Sequence, residues 1–408
     1  MSDFSSANLS KVQRGDLCAG CGACAAIAPG KVSMRIAKSG YLRPDQSADL
    51  SPQEEARVGQ ACPGLGETVT VDGRKTDTLW GPYVAMRQGN ALNPALRFQA
   101  SSGGGLSAVL VHLLESGKVD GVVQTAAAPD LPIGNCTVLS QTPEDVFNAA
   151  GSRYAPSDPV TAIYQTIVPG KRYAFVGKPC DIVAMRGLMK DDAELKAAVP
   201  YLLSFFCAGV PSLKGVEEVL GALGTTLDDT AAFRFRGQGW PGHATATDRA
   251  GTERSMTYHD SWGKVLSRHV QHRCKVCADG TGKLADLVFA DAWESDEAGY
   301  PVFEERDGTS LIVARTDAGQ ALLNAAEAAG SIESEPFDVA TLAAIQPGQR
   351  GRRRALFARL AGLKLCLKPI PNYRGLTLVA AARQNPLKEN MRNFLGMVRR
   401  VLTGRIGS

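Results

Sequence analysis

The stretch RYAFVGKPCDIVAMRGLM, residues 172–189, decides the fold class. Its first six residues, RYAFVG, form a short apolar run with aromatic and β-branched side chains, which is typical of a buried strand. The residues KPC predict a turn, and DIVAMRGLM predicts a helix. A strand that leads through a tight turn into a helix is the building unit of a sheet covered by helices.

The same order recurs on both sides of this stretch. On the C-terminal side, YLLSFF (201–206) predicts a strand, CAGVPS a turn, and a helix is expected from about Ser212. Later, LADLVFA and SLIVAR predict strands and TDAGQALLNAAEAAG predicts a helix. On the N-terminal side, helical spacing is shared by Leu106, Val109, Leu110, Leu113 and Leu114. We therefore expect an α/β fold on a mixed sheet, with α+β as the alternative.

The bulk composition directs attention to the cysteines. The 408 residues are 44% hydrophobic and 21% charged, with a net charge of +4, as in ordinary globular proteins. The start, MSDFSSANLSKVQRGD, has no apolar segment, so we expect no secretory signal, no membrane span and a cytoplasmic location. Thiols stay reduced there, and clustered cysteines then more often bind metal or do redox chemistry than form disulfides.

The first cysteine set consists of Cys18, Cys21, Cys24 and Cys62. The first three form a C-x2-C-x2-C run with glycines, LCAGCGAC, which bacterial ferredoxins use to wrap a 4Fe-4S cluster. The fourth ligand is usually a cysteine followed by proline, and Cys62 supplies it. Because Ala28 stands where a two-cluster ferredoxin has another cysteine, we expect a single cluster here. A structural zinc site is the alternative, although zinc sites usually pair two separate knuckles.

The second cysteine set consists of Cys180, Cys207, Cys274 and Cys277. Cys180 and Cys207 each follow a predicted strand, and the carboxyl ends of such strands are where open α/β sheets bind ligands. Cys274 and Cys277 form a knuckle that could close over the same place. Spacing alone leaves three alternatives open: a second 4Fe-4S cluster, a four-thiolate zinc site, or small buried apolar residues. The isolated Cys136 and Cys366 are expected to be packing residues.

Composition divides the chain into three parts. Residues 1–75 are dotted with cysteine, glycine and proline and predict a ferredoxin-like 4Fe-4S module. Residues 76–345 carry the alternating strands and helices and predict an α/β domain that holds the second cysteine set. Residues 346–408 are basic and predict a partly helical extension. Its last helix is amphipathic, and we expect its apolar face to pack on its own domain; peripheral contact with an anionic membrane is the alternative that is not favoured.

Eight motifs in a fixed order make the chain similar to a known family. They are CAGCGAC, ACPG, QASSGGGLSAVL, GSRY, VGKPCDI, FFCAGVPS, FRGQGWPG and CKVCADGTGKLADLVFADAW, and they extend from about Asp16 to about Arg315. The chain resembles the beta subunits of coenzyme F420 hydrogenase and dehydrogenase, a family that also includes chlorophyll-pathway reductases. The resemblance implies a flavin, FAD in preference to FMN, and one or two 4Fe-4S clusters, and it favours a cluster at the second cysteine set.

The resemblance also implies which segments form the flavin pocket, namely SSGGG, GSRY and GKPC. The residues are Ser101, Ser102, Gly103, Gly104, Gly105, Ser152, Arg153, Tyr154 and Lys178. The glycines precede a helix whose N-terminus suits a phosphate, and Arg153 could pair with that phosphate. Lys178 could place a positive charge beside the flavin ring. A structural turn, a surface ion pair and a solvated lysine are the respective alternatives.

These residues together predict an iron–sulfur flavoprotein oxidoreductase. It would move electrons between a ferredoxin, or another electron-transfer protein, and a small organic substrate or deazaflavin, through two 4Fe-4S clusters and FAD. The alternative is a non-catalytic electron-transfer subunit of a larger redox complex. No residue is expected to act as a catalytic acid or base, and no nucleic-acid partner is expected. Trp240 and Trp293 are expected to be core residues, and His269 and His272 to be surface or interface residues.

Overall fold

Short elements build the cysteine-rich N-terminal segment of the computed structural model, which describes residues 4–293, 302, 304–404 and 406. In chain order they are α1 (Ala7–Arg14), α2 (Ala23–Ile27), β1 (Val32–Ile36), β2 (Leu42–Gln46), α3 (Pro52–Ala61), β3 (Gly66–Thr68), β4 (Lys75–Asp77) and β5 (Gly81–Tyr83). Helix α3 begins at a capping box, because Ser51 accepts the Glu54 N–H while the Glu54 carboxylate accepts the Ser51 N–H. Strands β1 and β2 pair antiparallel.

The main body alternates strands and helices, as the sequence predicts. Its first elements are β6 (Ala85–Ala91), α4 (Pro94–Gln99), α5 (Gly105–Glu115), β7 (Gly121–Ala127), β8 (Asn135–Ser140), α6 (Pro143–Asn148), α7 (Ile163–Thr166), β9 (Tyr173–Gly177), α8 (Pro179–Leu188), α9 (Ala193–Ala198), β10 (Tyr201–Phe205) and α10 (Leu213–Ala222). They continue with β11 (Thr230–Arg234), β12 (His243–Asp248), β13 (Glu253–Thr257), α11 (His272–Lys275), β14 (Leu287–Asp291), β15 (Ser310–Ala314), α12 (Asp317–Ala328), β16 (Ile332–Pro336) and α13 (Leu342–Ile345).

An eight-stranded mixed sheet forms the centre, in the order β16-β6-β15-β14-β10-β9-β7-β8. The four strands β14, β10, β9 and β7 run parallel to one another, and the flanking strands pair antiparallel. The stretch at 172–189 supplies β9 and α8, so the predicted strand, turn and helix are confirmed. The α/β prediction on a mixed sheet is confirmed with it.

Helices cover both faces of this sheet. Along β9, Phe175 faces one core, where Ile182 and Met185 of α8 pack, while Ala174 and Val176 face a second core. In that second core lie Val109 and Leu113 of α5 and Leu322 and Leu323 of α12. Because alternate residues of a strand point to opposite faces, a buried run of five residues such as β9 must be covered on both sides.

A second, three-stranded sheet of β11, β12 and β13 was not predicted from the sequence. It is antiparallel, and its strands mix polar and small residues, so they lack the long apolar runs of the main sheet. A π-helical turn at His259–Val265 and a 3-10 turn at Leu266–His269 follow it and lead into α11. This insertion therefore carries the chain to the knuckle of the second cysteine set.

The C-terminal extension packs back on the N-terminal segment. It consists of α14 (Pro347–Leu365), β17 (Asn372–Arg374), α15 (Leu378–Arg383) and α16 (Leu387–Leu402). Strand β17 pairs parallel with β3, and Leu356, Leu360 and Leu363 of α14 share a core with Val12 and Leu17. The expected helical character of this region is confirmed.

The expected packing of the apolar face of α16 is wrong for four of its residues. Leu387, Met391, Leu395 and Leu402 are exposed, whereas Met397 is buried. The physical reason is the point of contact: α14 meets α16 at Gly362, where an added Cβ would lie 3.2 Å from the Met397 Cβ. The helix is thereby rotated so that only one edge of its apolar face is covered. In the described part of the chain, no helix is long and apolar enough to cross a lipid bilayer.

Candidate functional site

The first cysteine set gathers around the short helix α2. Its members are Cys18 and Cys21 in the loop before α2, Cys24 within α2, and Cys62 directly after α3. The loop passes close to a neighbouring segment at Gly22, which has a φ of 87°. A Cβ on Gly22 would lie 2.0 Å from the Thr161 hydroxyl oxygen, so a glycine is required for this approach.

The four thiols of this set interact electrostatically. Burial raises the pKa of Cys24, and the neighbouring Cys18 and Cys62 raise it further. Burial also raises the pKa of Cys62 to about 11, and the neighbouring Cys18 is the next cause. Burial likewise raises the pKa of Cys21, and there Cys62 is the next cause. Buried thiols of this kind become thiolates when a bound metal compensates their charge. The structure thus brings the four predicted residues into one site.

The second cysteine set lines one small cavity of about 20 Å³. Cys180 lies in the first turn of α8, Cys207 follows β10, and the knuckle of Cys274 and Cys277 surrounds the end of α11. Burial raises the pKa of Cys207 to about 12, and Cys274 is the next cause. The three segments that spacing alone could not join therefore meet at one place, at the carboxyl ends of β9 and β10.

Donors around the second set point at sulfur. The Val210 N–H donates to the Cys274 sulfur at 3.4 Å, and the Gln271 side-chain amide donates to the same sulfur at 3.6 Å. Arg273 carries its charge beside this set, because Cys277, Cys180 and Cys274 all help to raise its pKa against the opposing effect of burial. Such donors and charges tune the affinity and the potential of a bound metal centre.

Neither set forms disulfides, since all ten cysteines are free thiols. Within the described residues, no group of three His, Cys, Asp or Glu side chains is placed to hold a single metal ion. In a cubic cluster each thiolate binds a different iron, so its ligands stand further apart than those of one zinc ion. Two sets of four thiols fit the donor set of 4Fe-4S clusters. Cys136 and Cys366 belong to neither set and are half-buried.

The two cysteine sets are close enough to affect each other. Burial raises the pKa of Cys180, and Cys21 of the first set is among the further causes. The carboxylate of Asp181 raises the pKa of both Cys21 and Cys180. Asp181, which was not predicted as a site residue, is therefore near a thiol of each set.

A larger cavity of about 280 Å³ adjoins the second set. It lies at the carboxyl ends of β9 and β10, beside the starts of α5 and α8. Cys207, Gly209 and Val210 line both cavities. Seven of the nine residues predicted for a flavin line the larger one: Ser101, Ser102, Gly104, Ser152, Arg153, Tyr154 and Lys178.

The remaining two predicted residues, Gly103 and Gly105, are not among those that line the cavity. A Cβ on Gly103 would lie 2.6 Å from the Ser310 backbone nitrogen, and one on Gly105 would lie 3.0 Å from the Ser310 hydroxyl. The Gly105 N–H already donates to that hydroxyl at 3.3 Å. Both glycines allow the start of α5 to approach β15, which is a packing role.

Arg153 is held by its own chain at the cavity wall. Its Nε donates to the Asn135 side chain at 2.6 Å and its Nη2 to the Gly134 carbonyl at 2.7 Å, while its guanidinium lies over Phe235. Burial lowers its pKa to about 10. Tyr154 packs against Trp262 at 4.7 Å between ring centroids. Among the residues that the structure describes, Arg153 has no acidic partner, so the surface ion pair considered from the sequence is not formed there.

Lys178 is buried and paired, so the solvated lysine considered from the sequence is wrong. Its ammonium lies 2.8 Å from the Asp181 carboxylate and donates to the Ser157 hydroxyl at 2.7 Å. Burial disfavours its charge, but Asp181 and Cys180 outweigh that effect, and its pKa is raised. A permanent positive charge thus stands at the wall of the cavity.

A second ion pair, the buried Arg236 with the half-buried Asp291, was not predicted. The guanidinium forms two bonds of 3.0 Å to the two carboxylate oxygens and donates to the Ser101 carbonyl at 2.7 Å. Trp240 donates its indole N–H to Asp291 at 2.7 Å and stacks on Trp293 at 4.7 Å. Arg236 and Trp240 lie in the motif FRGQGWPG, so the sequence marked this segment. No feature of the neighbouring sequence indicated that Asp291 would be their partner.

Two tryptophans were expected in the core, and two histidines at a surface or interface. Trp240 and Trp293 are buried, as expected of core residues, and Trp293 also lines the large cavity. His269 is half-buried and lies 2.8 Å from the Glu218 carboxylate. His272 is buried, which corrects its expected surface position, and burial lowers its pKa to about 4.

Comparisons with known proteins identify the family. Two parts of the chain match the family described as "Coenzyme F420 hydrogenase/dehydrogenase, beta subunit": residues 86–164 match its N-terminal part and residues 170–340 its C-terminal part, together more than half of the chain. The coenzyme F420 hydrogenase subunit beta of Methanococcus voltae is 27% identical over 64% of this chain and 86% of its own. The chloroplastic 7-hydroxymethyl chlorophyll a reductase of Oryza sativa subsp. japonica is 26% identical over 73% of this chain and 65% of its own.

A solved structure shares the fold. A chain of the F420-reducing NiFe hydrogenase complex from Methanosarcina barkeri superposes with a TM-score of 0.52 at 22% identity. The match covers 69% of the present chain and 96% of the other.

Proposed function

Because this chain belongs to the coenzyme F420 hydrogenase/dehydrogenase beta subunit family, we propose that it is an iron–sulfur flavoprotein oxidoreductase. Its redox partner is a ferredoxin or another electron-transfer protein, and its second reactant is a small organic substrate or a deazaflavin. Two 4Fe-4S clusters and FAD, in preference to FMN, are the proposed cofactors.

The observation that carries this proposal is the junction of the two cavities. Four cysteines line the small cavity, and one of them, Cys207, also lines the large one. Cys21 and Cys180 interact across the gap between the two cysteine sets. Three adjoining sites in one protein, two of them with four thiols, are an arrangement suited to passing electrons.

Each proposed cofactor has its own residues. The first cysteine set would hold one cluster and the second set the other, and the large cavity would hold the flavin beside Lys178 and Arg153. Clusters transfer single electrons and a flavin transfers one or two, including as hydride.

The residues of the chain would bind the cofactors, supply fixed charge and exclude water. The buried Lys178 ammonium offers a fixed positive charge that favours negative charge developing on a bound ring. The Arg236–Asp291 pair also lines the cavity, and it holds the Ser101 carbonyl and the Trp240 indole in place. Every charged group of these pairs is satisfied within the protein, so none is assigned to proton transfer.

The first test is the content of iron, sulfide and flavin in the full chain purified without oxygen. We expect iron and sulfide for two 4Fe-4S clusters and one flavin per chain, with flavin bands over a broad absorbance near 400 nm. In Cys207→Ser, iron should fall by about half because one set loses a thiolate. Cys136→Ser is the matched control and should keep both clusters, since Cys136 lies outside both sets.

Zinc in place of iron, or a colourless protein, would contradict the proposal. An assay of the loaded chain with reduced ferredoxin and candidate acceptors then separates an enzyme from a non-catalytic electron-transfer subunit. An enzyme reduces a small acceptor by itself, whereas a non-catalytic component does so only with a further protein present.

A further inference from the structure

The last helix presents a row of large apolar side chains to solvent. Their exposed fractions are 78% for Leu387, 54% for Met391, 56% for Leu395 and 78% for Leu402. At 100° per residue these positions fall within one stripe along the helix, distinct from the edge that Met397 buries against α14. A row of this length is an exposed patch rather than scattered single residues, and such patches mark binding surfaces.

The end of the neighbouring helix α14 also exposes large apolar side chains. Leu365 is 65% exposed and Leu367 is 92% exposed, one turn beyond Gly362, at which α14 contacts α16. Lys364 and Lys368 flank these two leucines in the sequence KLCLK. The extension therefore combines exposed apolar side chains with cations in two separate segments.

Positive charge borders the stripe on α16. Lys388, Arg392, Arg399 and Arg400 are all exposed. The helical period places Lys388, Arg392 and Arg399 directly beside the apolar row. Glu389 is the only acidic residue of this helix, and it pairs with Arg392 at 3.3 Å. An exposed apolar stripe with a basic border is the pattern of a helix that lies in a membrane interface.

We propose that the exposed face of α16 binds the surface of an anionic lipid bilayer, with the helix lying in the plane of the interface. The headgroups complement Lys388, Arg392 and Arg399, and the acyl region below them covers the apolar row. Pairing of two copies through this face would instead bring the same cations together and cost free energy through repulsion. The proposal goes beyond the proposed redox function and does not depend on any cofactor.

The test uses flotation of the full chain with vesicles. One set is pure phosphatidylcholine, and the other contains one third phosphatidylglycerol. We expect the protein to float with the anionic vesicles and to remain at the bottom with the neutral ones, and added salt should reduce the floating fraction.

Two variants probe the two components of the surface. The triple variant Leu387→Gln, Met391→Gln, Leu395→Gln removes apolar area, and Arg392→Gln with Arg399→Gln removes charge; each should weaken binding roughly tenfold or more. All five side chains are exposed, so folding should be unaffected, which circular dichroism verifies. The matched control is Leu92→Gln with Val168→Gln, two exposed apolar residues elsewhere, and it should bind like the unaltered chain.

Three results would overturn the proposal. The first is no flotation with anionic vesicles, and the second is flotation that the triple variant leaves unchanged. The third is self-association, seen by sedimentation in the absence of lipid, that the triple variant abolishes. Binding of an acidic electron-carrier protein that the same triple variant abolishes, without flotation, would assign the face to a protein partner instead.

Discussion

Lys178 is the residue in which most parts of the candidate site meet. It lines the large cavity, precedes Cys180 by two positions, and pairs with Asp181, which affects thiols of both cysteine sets. Burial raises the pKa of Asp181 in spite of Lys178, so the carboxylate is stabilised by its partner and little else. A buried pair of this kind adds little net stability when intact and costs much when one partner is removed.

Lys178→Met should lower the free energy of unfolding by about 3–5 kcal/mol at neutral pH, because it leaves the Asp181 carboxylate buried without its cation. The pKa of Asp181 in the folded variant should then rise further above its value in the unfolded chain. At pH values between these two pKa values, the folded variant keeps the Asp181 proton whereas the unfolded chain has lost it. The variant should therefore lose stability as pH rises through that window and regain it in acid. Denaturant titrations at several pH values measure this.

The control is the double variant Lys178→Met, Asp181→Asn, which leaves no unpaired buried charge. It should recover most of the lost stability and be independent of pH over the same window. A single variant as stable as the original chain at neutral pH would show that the pair does not stabilise the buried carboxylate.

At the scale of elements, the start of α5 has two separate functions. Gly104 lines the cavity and is the N-cap of the helix with a φ of 71°, whereas Gly103, with a φ of 57°, packs against the backbone of β15. The sequence SSGGG predicted a ligand site at this helix start. The structure adds that Gly103, like Gly105, allows the helix to approach the sheet closely.

Gly103→Ala should destabilise the protein by about 1–3 kcal/mol more than Gly117→Ala does. Both glycines have a positive φ, 57° and 63°, so both variants carry the backbone penalty. Only Gly103 has neighbours within 4 Å of an added Cβ; Gly117 has none. The difference in stability between the two variants, measured by thermal unfolding, gives the cost of steric crowding at Gly103.

Flavin content of the same two variants extends this test to the site. Crowding at Gly103 should shift the start of α5 and lower the flavin bound per chain, whereas Gly117→Ala should retain it. Equal stability and equal flavin in the two variants would contradict the close packing of α5 on β15.

At the scale of the molecule, the C-terminal extension joins the two ends of the chain. The β17–β3 pairing and the shared core of α14 connect the extension to the segment that carries the first cysteine set. Arg353 of α14, which is buried, donates to the backbone carbonyls of Leu79 and Ala278 in the main body and to that of Leu376 in the extension itself. The three parts inferred from composition therefore share a core and are not packed separately.

Leu356→Ala should cost about 2–5 kcal/mol, because Leu356 is fully buried in this shared core. Its local effect should appear as faster amide hydrogen exchange at Val12 and Leu17, on the other side of the core. Leu402→Ala, an exposed leucine of the same extension, is the control and should change stability by no more than about 0.5 kcal/mol. Unchanged exchange near Val12 in Leu356→Ala would indicate that the extension does not support the N-terminal segment.

The sequence by itself determined the local features. A buried strand and the helix after it are encoded in adjacent residues, so β9, α8, β10 and α12 could be placed from periodicity alone. The run of Cys18, Cys21 and Cys24 is likewise local, because one loop supplies three ligands. The polar strands β11 to β13 lack such a pattern and were missed.

Only the tertiary structure decided which distant residues meet. Cys180, Cys207 and the Cys274 knuckle could be joined only once β9 and β10 lay side by side with α11 over their ends. The partners Arg236 and Asp291 are 55 residues apart and carry no mutual signal in the chain. Periodicity also predicted the apolar face of α16. It could not predict how much of that face α14 covers, because the covered area depends on the angle at which α14 packs.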